Sequence, residues 1–261
     1  MRKVEPKCFL VGETRVVEEG LKAYLAHIGA PEWHTDAPSD SEKIVEVMGR
    51  LCYRSWKPGM NANVTKVREG NDKYIGNIVN VRHGSVTEHA FINFIFADVS
   101  RVFTHELVRH RVGCAISQES LRFVRLDDLG LWAPTCIRED EHAMTIFAKT
   151  FEHLEQLQLD LAQHFKLDEP GVNFDKKKEI TSAMRRIAPD GLATAIGWSA
   201  NPRTIRHCLE MRTNRHAEEE IRLGFDQLGL ICQDRYPNLF HDYTRELVNG
   251  IGEWKSPNAK I

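Results

Sequence analysis

The sequence predicts one α/β domain of mixed helices and sheet, and three observations predict it. Stretches with apolar residues at helical spacing are bounded by capping residues, as where Ser39 and Glu42 can form a capping box ahead of EKIVEVMGRLCYRS. Two runs, HAFINFIFADVS (89–100) and LATAIGWSA (192–200), carry the aromatic and β-branched residues of strands. No repeat and no convincing linker divides the 261 residues, a length that fits one large domain or two small ones, so a single domain over 1–261 is expected.

From the amino terminus, KCFLVG (7–12) reads as a short strand and VVEEGLKAYLAHIG (16–29) as a helix stopped by Gly29 and Pro31. After polar, turn-rich residues 31–41 comes the capped helix at 42–55, then a loop from Pro58 to Asn63. DKYIGNIVNVRHG (72–84) is helical and ends near Gly84. In the strand that follows, Phe94 and Phe96 share one face and Ile95 takes the other. Ser100 can cap a helix RVFTHELVRHRV (101–112), which Gly113 ends or distorts. DDLGLWAPTC (127–136) is irregular, and Asp140 caps a long amphipathic helix at 141–166. KKKEITSAMRRIA (176–188) gives another helix, stopped by Pro189, Asp190 and Gly191. Asn201 at an N-cap and Pro202 at the first helical position open a helix over 201–212, and HAEEEIRLGFDQLGLICQ (216–233) is helical again.

Composition narrows the function classes. Hydrophobic residues at 42% and charged residues at 28% fit a globular chain rather than a disordered one. With 35 basic against 37 acidic residues the net charge is -2, which supplies no basic footprint for a nucleic-acid polymer. The six cysteines form no CxxC pair and no zinc-type spacing, so no metal site is expected. MRKVEPKCFLVG has too short an apolar run for a secretory leader, and no stretch approaches a membrane span; reduced thiols and a cytoplasmic location are the simplest expectation.

The informative cluster is RHRVGCAISQESLRFVR. Arg109, His110 and Arg111 stand at or near a helix end, followed by Ser117, Gln118, Ser120, Arg122 and Arg125. Arginine presents five donors in a rigid fork that matches a phosphate or an imide-like edge, and serines add donors around the same anion. A solvated helix face with incidental arginines is the bland alternative. His105 and His110 could exchange protons or be ordinary hydrogen-bonding histidines, and Glu106 could pair with Arg109 or His110 along the helix.

The cluster resembles the flavin-dependent thymidylate synthases, in which an RHR triplet is followed by seven residues, a serine and, two positions on, an arginine. Here the triplet is Arg109, His110 and Arg111, the serine and arginine are Ser120 and Arg122, and eight residues intervene, the extra one placed in the VGCAI turn. Three other blocks keep the family's order: HGSVTEHAFINF with His83, Ser85 and Glu88; RRIAPDGLATAIGWSANPR with Arg185, Pro189, Asn201 and Arg203; and HCLEMRTNRHAEEEIR with Arg212 and His216. Together they cover roughly residues 45–225.

The resemblance implies a mixed α/β fold of that family's type, a homotetramer with active sites between subunits, and FAD, dUMP, 5,10-methylenetetrahydrofolate and NADPH as participants. It places His83, Ser85, Glu88, Arg109, His110, Arg111, Asn201, Arg203, His207 and His216 on FAD. It places Glu106, Arg109, Gln118, Ser120, Arg122, Arg185 and Arg212 on the nucleotide, with Arg212, Ser120 and Arg122 closest to the chemistry. His207 stands where relatives commonly have asparagine, and Glu106 where many have glutamine; an ionised carboxylate only accepts hydrogen bonds and repels a phosphate. That departure leaves a related pyrimidine hydroxymethylase open beside the synthase, and a non-catalytic nucleotide- or RNA-binding role remains the non-enzymatic alternative. Cys114 is read as structural or incidental before it is read as a nucleophile, since a reactive thiol needs exposure and a lowered pKa.

Overall fold

The computed structural model describes residues 1–258. In chain order these form β1 (Arg2–Lys3), β2 (Lys7–Glu13), α1 (Glu18–His27), α2 (Asp40–Tyr53), α3 (Asn71–Asn80), β3 (Ile92–Ser100), α4 (Arg101–Leu107), β4 (Cys114–Gln118) and β5 (Gly130–Leu131). There follow α5 (Thr135–Arg138), α6 (Glu141–His164), α7 (Phe174–Met184), β6 (Ala193–Ala200), α8 (Pro202–Thr213), α9 (Glu219–Arg235), β7 (Thr244–Val248) and β8 (Ile251–Lys255). Two short 3-10 turns, Gly84–Glu88 and Arg185–Ile187, precede β3 and follow α7.

The central sheet is antiparallel with strand order β2-β3-β6-β4. Its register puts Leu10, Phe94 and Trp198 in one row across three strands, and Phe96 beside Ile196 in the next. Because side chains alternate along a strand, the apolar residues gather on one face, and Phe94, Phe96, Ile196 and Trp198 are fully buried there. α8 and α9 cover that face with Ile205, Cys208, Leu209, Ile221, Phe225 and Leu228. Each such side chain contributes roughly 1.5–3 kcal/mol by leaving water, and the Phe96 and Phe225 rings stack 5.6 Å apart. Phe9 and Ile95, paired on the opposite face, are exposed. A separate apolar cluster joins Leu121, Leu126, Leu129 and Leu131 to Phe151 of α6.

Caps account for several boundaries. The side chains of Ser39, Ser100, Asp140 and Asn201 accept from the backbone N–H groups of Glu42, Phe103, Ala143 and Thr204. The predicted helix over 101–112 is shorter than expected. α4 stops at Leu107, the RHR triplet lies in the turn beyond it, and Gly113 at φ 67° then redirects the chain into β4. The expected VGCAI turn is therefore only its first two residues, and Cys114–Gln118 pairs with β6 as an edge strand. The helix expected from 176–188 loses α geometry after Met184, ahead of Pro189. α9 starts at Glu219, later than the predicted 216, with Glu218 as its cap; His216 does not cap it. The irregular stretch 127–136 holds β5 and the start of α5.

The carboxy-terminal hairpin β7–β8 has no counterpart in the sequence reading. It turns at Asn249 and Gly250, both at positive φ, as a two-residue hairpin loop requires. Asp226 of α9 anchors it, accepting from the Gly252 N–H and the Trp254 indole, each at 2.8 Å, while pairing with Arg245. Among the described residues no helix is long and apolar enough to cross a membrane.

Candidate nucleotide and cofactor site

The site begins where β4 and α8 leave the sheet side by side. The Asn201 N–H donates to the Gly113 carbonyl at 3.0 Å, and the Thr204 hydroxyl donates to the Val112 carbonyl at 2.8 Å. These bonds fasten the tail of the RHR segment to the first turn of α8. A Cβ at residue 113 would overlap Asn201 Nδ2 and Thr204 Oγ1, so the approach requires glycine. Between the two segments lies a cavity of about 340 Å³, walled by Arg109, His110, Arg111 and Val112 on one side and by Asn201, Arg203, Thr204, His207 and Cys208 on the other, with Glu88 at its edge.

The charge balance of this cavity favours an anion. Among the described residues Arg109 and Arg111 have no carboxylate within ion-pair distance, and both are exposed. The positive end of α8 points the same way. Arg203 is bridged by Glu88 at 2.5 Å, an exposed pair worth about 0–1 kcal/mol. The 3-10 turn Gly84–Glu88 that carries Ser85 and Glu88 packs against α8. His83 stands at the start of that turn, with Nδ1 3.3 Å from the Tyr53 hydroxyl.

Beside the cavity α4 and α8 meet through a second cluster. Glu106 does not pair along its own helix with Arg109 or His110, as its spacing allows. It binds Arg212, 106 residues away, at 2.5 Å from Nη1, and its backbone carbonyl takes Nη2 at 3.0 Å. Arg212 Nε donates to His110 Nε2 at 2.7 Å. The His110 pKa is pushed down to about 4, first by burial and then by the Arg212, His207 and Arg109 charges. The His207 ring meets it edge-on at 6.2 Å. The Cys114 thiol donates to the His110 carbonyl at 2.9 Å, which gives that cysteine a structural bond in the turn.

α4 itself is held by the acidic run of α9. Glu220 accepts from the Ser100 N–H at 2.6 Å and bonds the Ser100 hydroxyl, and burial raises its pKa to about 7. Glu219 takes the Thr135 N–H and hydroxyl of α5, and Glu218 caps α9. Three consecutive glutamates thus fix three helix starts. The EEE run does not face Arg185 or Arg186, and Arg222 donates to the Val248 carbonyl instead.

The remaining expected site residues lie outside this cavity. Gln118 on β4 donates to Thr104 of α4 at 3.0 Å. Ser120 and Arg122 occupy the turn after β4, where Arg122 lies 5.8 Å from the Phe123 ring. Arg185 donates to the Ser182 carbonyl at the end of α7. His216 is exposed beyond α8, its N–H held by Asn214. Sequence reasoning missed Val112, Thr204 and Cys208 as cavity walls and Tyr53 as the partner of His83; the helical spacing from Asn201 to Thr204 and Cys208 was a usable signal for two of them.

A mixed α/β chain with an arginine-lined cavity at a helix start has the form of an enzyme for nucleotide-like anions. The Thymidylate synthase complementing protein family matches residues 35–238, and the chain belongs to the flavin-dependent thymidylate synthase family. It is 33% identical over 235 residues to the flavin-dependent thymidylate synthase of Mycolicibacterium gilvum, covering 87% of this chain and 90% of that one. It is likewise 33% identical over 224 residues to that of Mycobacteroides abscessus, at 81% and 83% coverage. Among solved structures, the UMP/dUMP methylase PolB from Streptomyces cacaoi, bound with 5-Br dUMP, shares the fold at a TM-score of 0.61 and 14% identity, over 92% of this chain and 95% of that one. Thymidylate synthase X from Helicobacter pylori with FAD and dUMP does so at 0.56 and 18%, over 90% and 98%.

Proposed function

We propose that this chain, acting as one catalytic domain in the cytoplasm, converts dUMP to dTMP. The one-carbon group comes from 5,10-methylenetetrahydrofolate, NADPH is the reductant and FAD is the bound cofactor. The observation that carries this reading is the meeting of the RHR segment with the start of α8 around one cavity, beside the Glu106–Arg212–His110 cluster. The FAD and dUMP bound by the Helicobacter pylori protein of the same fold support it.

The residues present fit a flavin dinucleotide. Arg109, Arg111 and the α8 start suit its pyrophosphate, and the missing Cβ of Gly113 lets the RHR turn close onto Asn201 and Thr204 of that start. His83, Ser85, Glu88, His110, Asn201, Arg203 and His207 extend the cofactor set from this cavity, and His216, which lies outside it, joins the set at a site completed by another subunit. When bound, FAD supplies the hydride chemistry, and the protein positions and polarises.

Arg212 uses three of its five N–H groups on His110 and Glu106, leaving two for a pyrimidine edge. A fixed cation there stabilises negative charge developing on the ring carbonyl and N3. Gln118, Ser120, Arg122 and Arg185 hold the phosphate, with Arg109 at the junction. Arg122 and Arg185 lie outside the cavity of their own chain, which favours a homotetramer whose sites are completed by neighbouring subunits.

Protein reconstituted with FAD, then given dUMP, methylenetetrahydrofolate and NADPH, is expected to bleach the flavin and yield dTMP by mass analysis. Absence of any methylated pyrimidine overturns the activity. Glu106, an acceptor-only side chain at Arg212, favours one second reading, a pyrimidine hydroxymethylase, which a hydroxymethylated product would establish.

A further inference from the structure

Glu106 was expected on the nucleotide, and its contacts assign it otherwise. Its carboxylate and its backbone carbonyl both grip the Arg212 guanidinium, from two directions. That double hold fixes the plane of the fork, and the fork turns its Nε–H to His110 Nε2 at 2.7 Å. A guanidinium nitrogen can only donate, so His110 Nε2 must be the unprotonated, accepting nitrogen. The imidazole proton then sits on Nδ1, where no acceptor among the described residues takes it. His110 itself lines the cavity between the RHR turn and α8.

We propose that Glu106 is a positioning residue that acts through Arg212 to hold His110 as the neutral Nδ1–H tautomer, so that His110 meets a ligand in the cavity as a hydrogen-bond donor and neither as a cation nor as a base. The role toward a ligand rests on the function proposed above; the tautomer does not. The surroundings agree with a neutral ring. Arg212 and His207 face it from α8 and Arg109 from its own turn, with Glu106 behind Arg212; Cys114 bonds its carbonyl, and Glu88, Arg203 and Cys208 stand around the same cavity. Glu218 lies near Glu106, and burial first and then the Glu106 charge push its carboxyl above the usual carboxylate range. Burial and the cations hold the His110 pKa at about 4, below the range in which an ordinary histidine gains its proton.

The test is nitrogen NMR of the full chain carrying 15N-labelled histidine, followed from pH 4 to 8, with His110→Gln identifying the signal. The expected result is a single Nδ1–H tautomer that stays neutral down to about pH 4. Glu106→Ala frees Arg212 and is expected to give a mixture of tautomers, while Glu106→Gln, which still accepts from Nη1, restores most of the Nδ1–H form. Arg212→Met is expected to move the titration up by about one unit or more, since a nearby cation and the bond to Nε2 are both lost. A wild-type ring protonated on Nε2, or a Glu106→Ala ring with unchanged tautomer, overturns the proposal. Should Glu106→Ala not fold, Arg212→Met and Arg212→Lys in the presence of Glu106 decide it: an unchanged titration in both overturns it. An inactive wild type that nevertheless shows the Nδ1–H form supports this proposal and removes only the synthase reading.

Discussion

Gly113 lies directly against Asn201, receiving the Asn201 N–H on its carbonyl at 3.0 Å while its missing side chain leaves room for the Asn201 amide. Two independent requirements therefore fall on one residue, a backbone at φ 67° and the absence of a Cβ. Gly113→Ala is expected to cost roughly 2–4 kcal/mol, from left-handed strain plus overpacking. Denaturant midpoints measure the loss, and flavin retention is expected to fall with it because Asn201 and the RHR turn move apart. An alanine variant with wild-type stability would mean that the turn relaxes without touching α8.

Glu220 gives the fold a pH dependence of defined sign. Its pKa is raised to about 7 by burial, so between its ordinary value near 4.5 and pH 7 the folded chain holds a proton that the unfolded chain has lost. The favourable contribution is complete below the lower value and is lost as pH rises through the upper one. Glu220→Gln can still accept from the Ser100 N–H and is expected to flatten this decline. His110, depressed to about 4, works in the opposite sense, its stabilisation disappearing as pH falls from about 6.5 towards 4. Comparing thermal midpoints of wild type and Glu220→Gln at pH 5 and pH 7.5 isolates the glutamate; equal differences at both values would refute the assignment.

What the sequence made legible was local. Ser39, Ser100, Asp140 and Asn201 announce helix starts because an N-cap involves residues only three positions apart. β3 and β6 were visible because their buried faces alternate aromatic and branched side chains. β4 was hidden: Cys114–Gln118 has one branched apolar residue, Ile116, and its identity as a strand comes from pairing with β6. The hairpin β7–β8 carries its own local signal, since Asn249-Gly250 is a pair that tolerates positive φ at both positions. In the site, the meeting of the RHR turn with Asn201 and Arg203 followed from the family motifs. The Glu106–Arg212 pair did not, since helix spacing offered Glu106 two nearer partners and only tertiary packing, which sets the end of α4 beside the end of α8, brings it to the third.

Arg212 separates a catalytic reading of the site from a merely structural one. Arg212→Ala is expected to lower turnover by about 10²–10³, the loss typical of removing a fixed donor from developing charge. Stability should also fall, because Glu106 is left part-buried and unpaired, so folding must be checked by circular dichroism before kinetics are compared. Arg212→Lys keeps the charge but not the fork, and a partial recovery of turnover with poor nucleotide affinity is the expected pattern. Undiminished dTMP formation in the alanine variant would take Arg212 out of the mechanism.

Arg122 and Arg109 belong to different places in one chain, the first in the turn after β4 and the second at the cavity wall. If a complete site draws them from different subunits, two inactive variants should rescue each other. Arg109→Ala and Arg122→Ala, each expected to lose 10²-fold or more in turnover as a charge-assisted contact is removed, are co-refolded in equal amounts. Mixed oligomers are expected to regain a measurable fraction of wild-type activity, because some sites then combine an intact Arg109 with an intact Arg122. Exchange is confirmed by a size tag on one variant. Mixed oligomers that form and stay as inactive as their parents would place both arginines in the same subunit's site, which a single chain could reach only by moving the turn at Ser120–Phe123 towards α8.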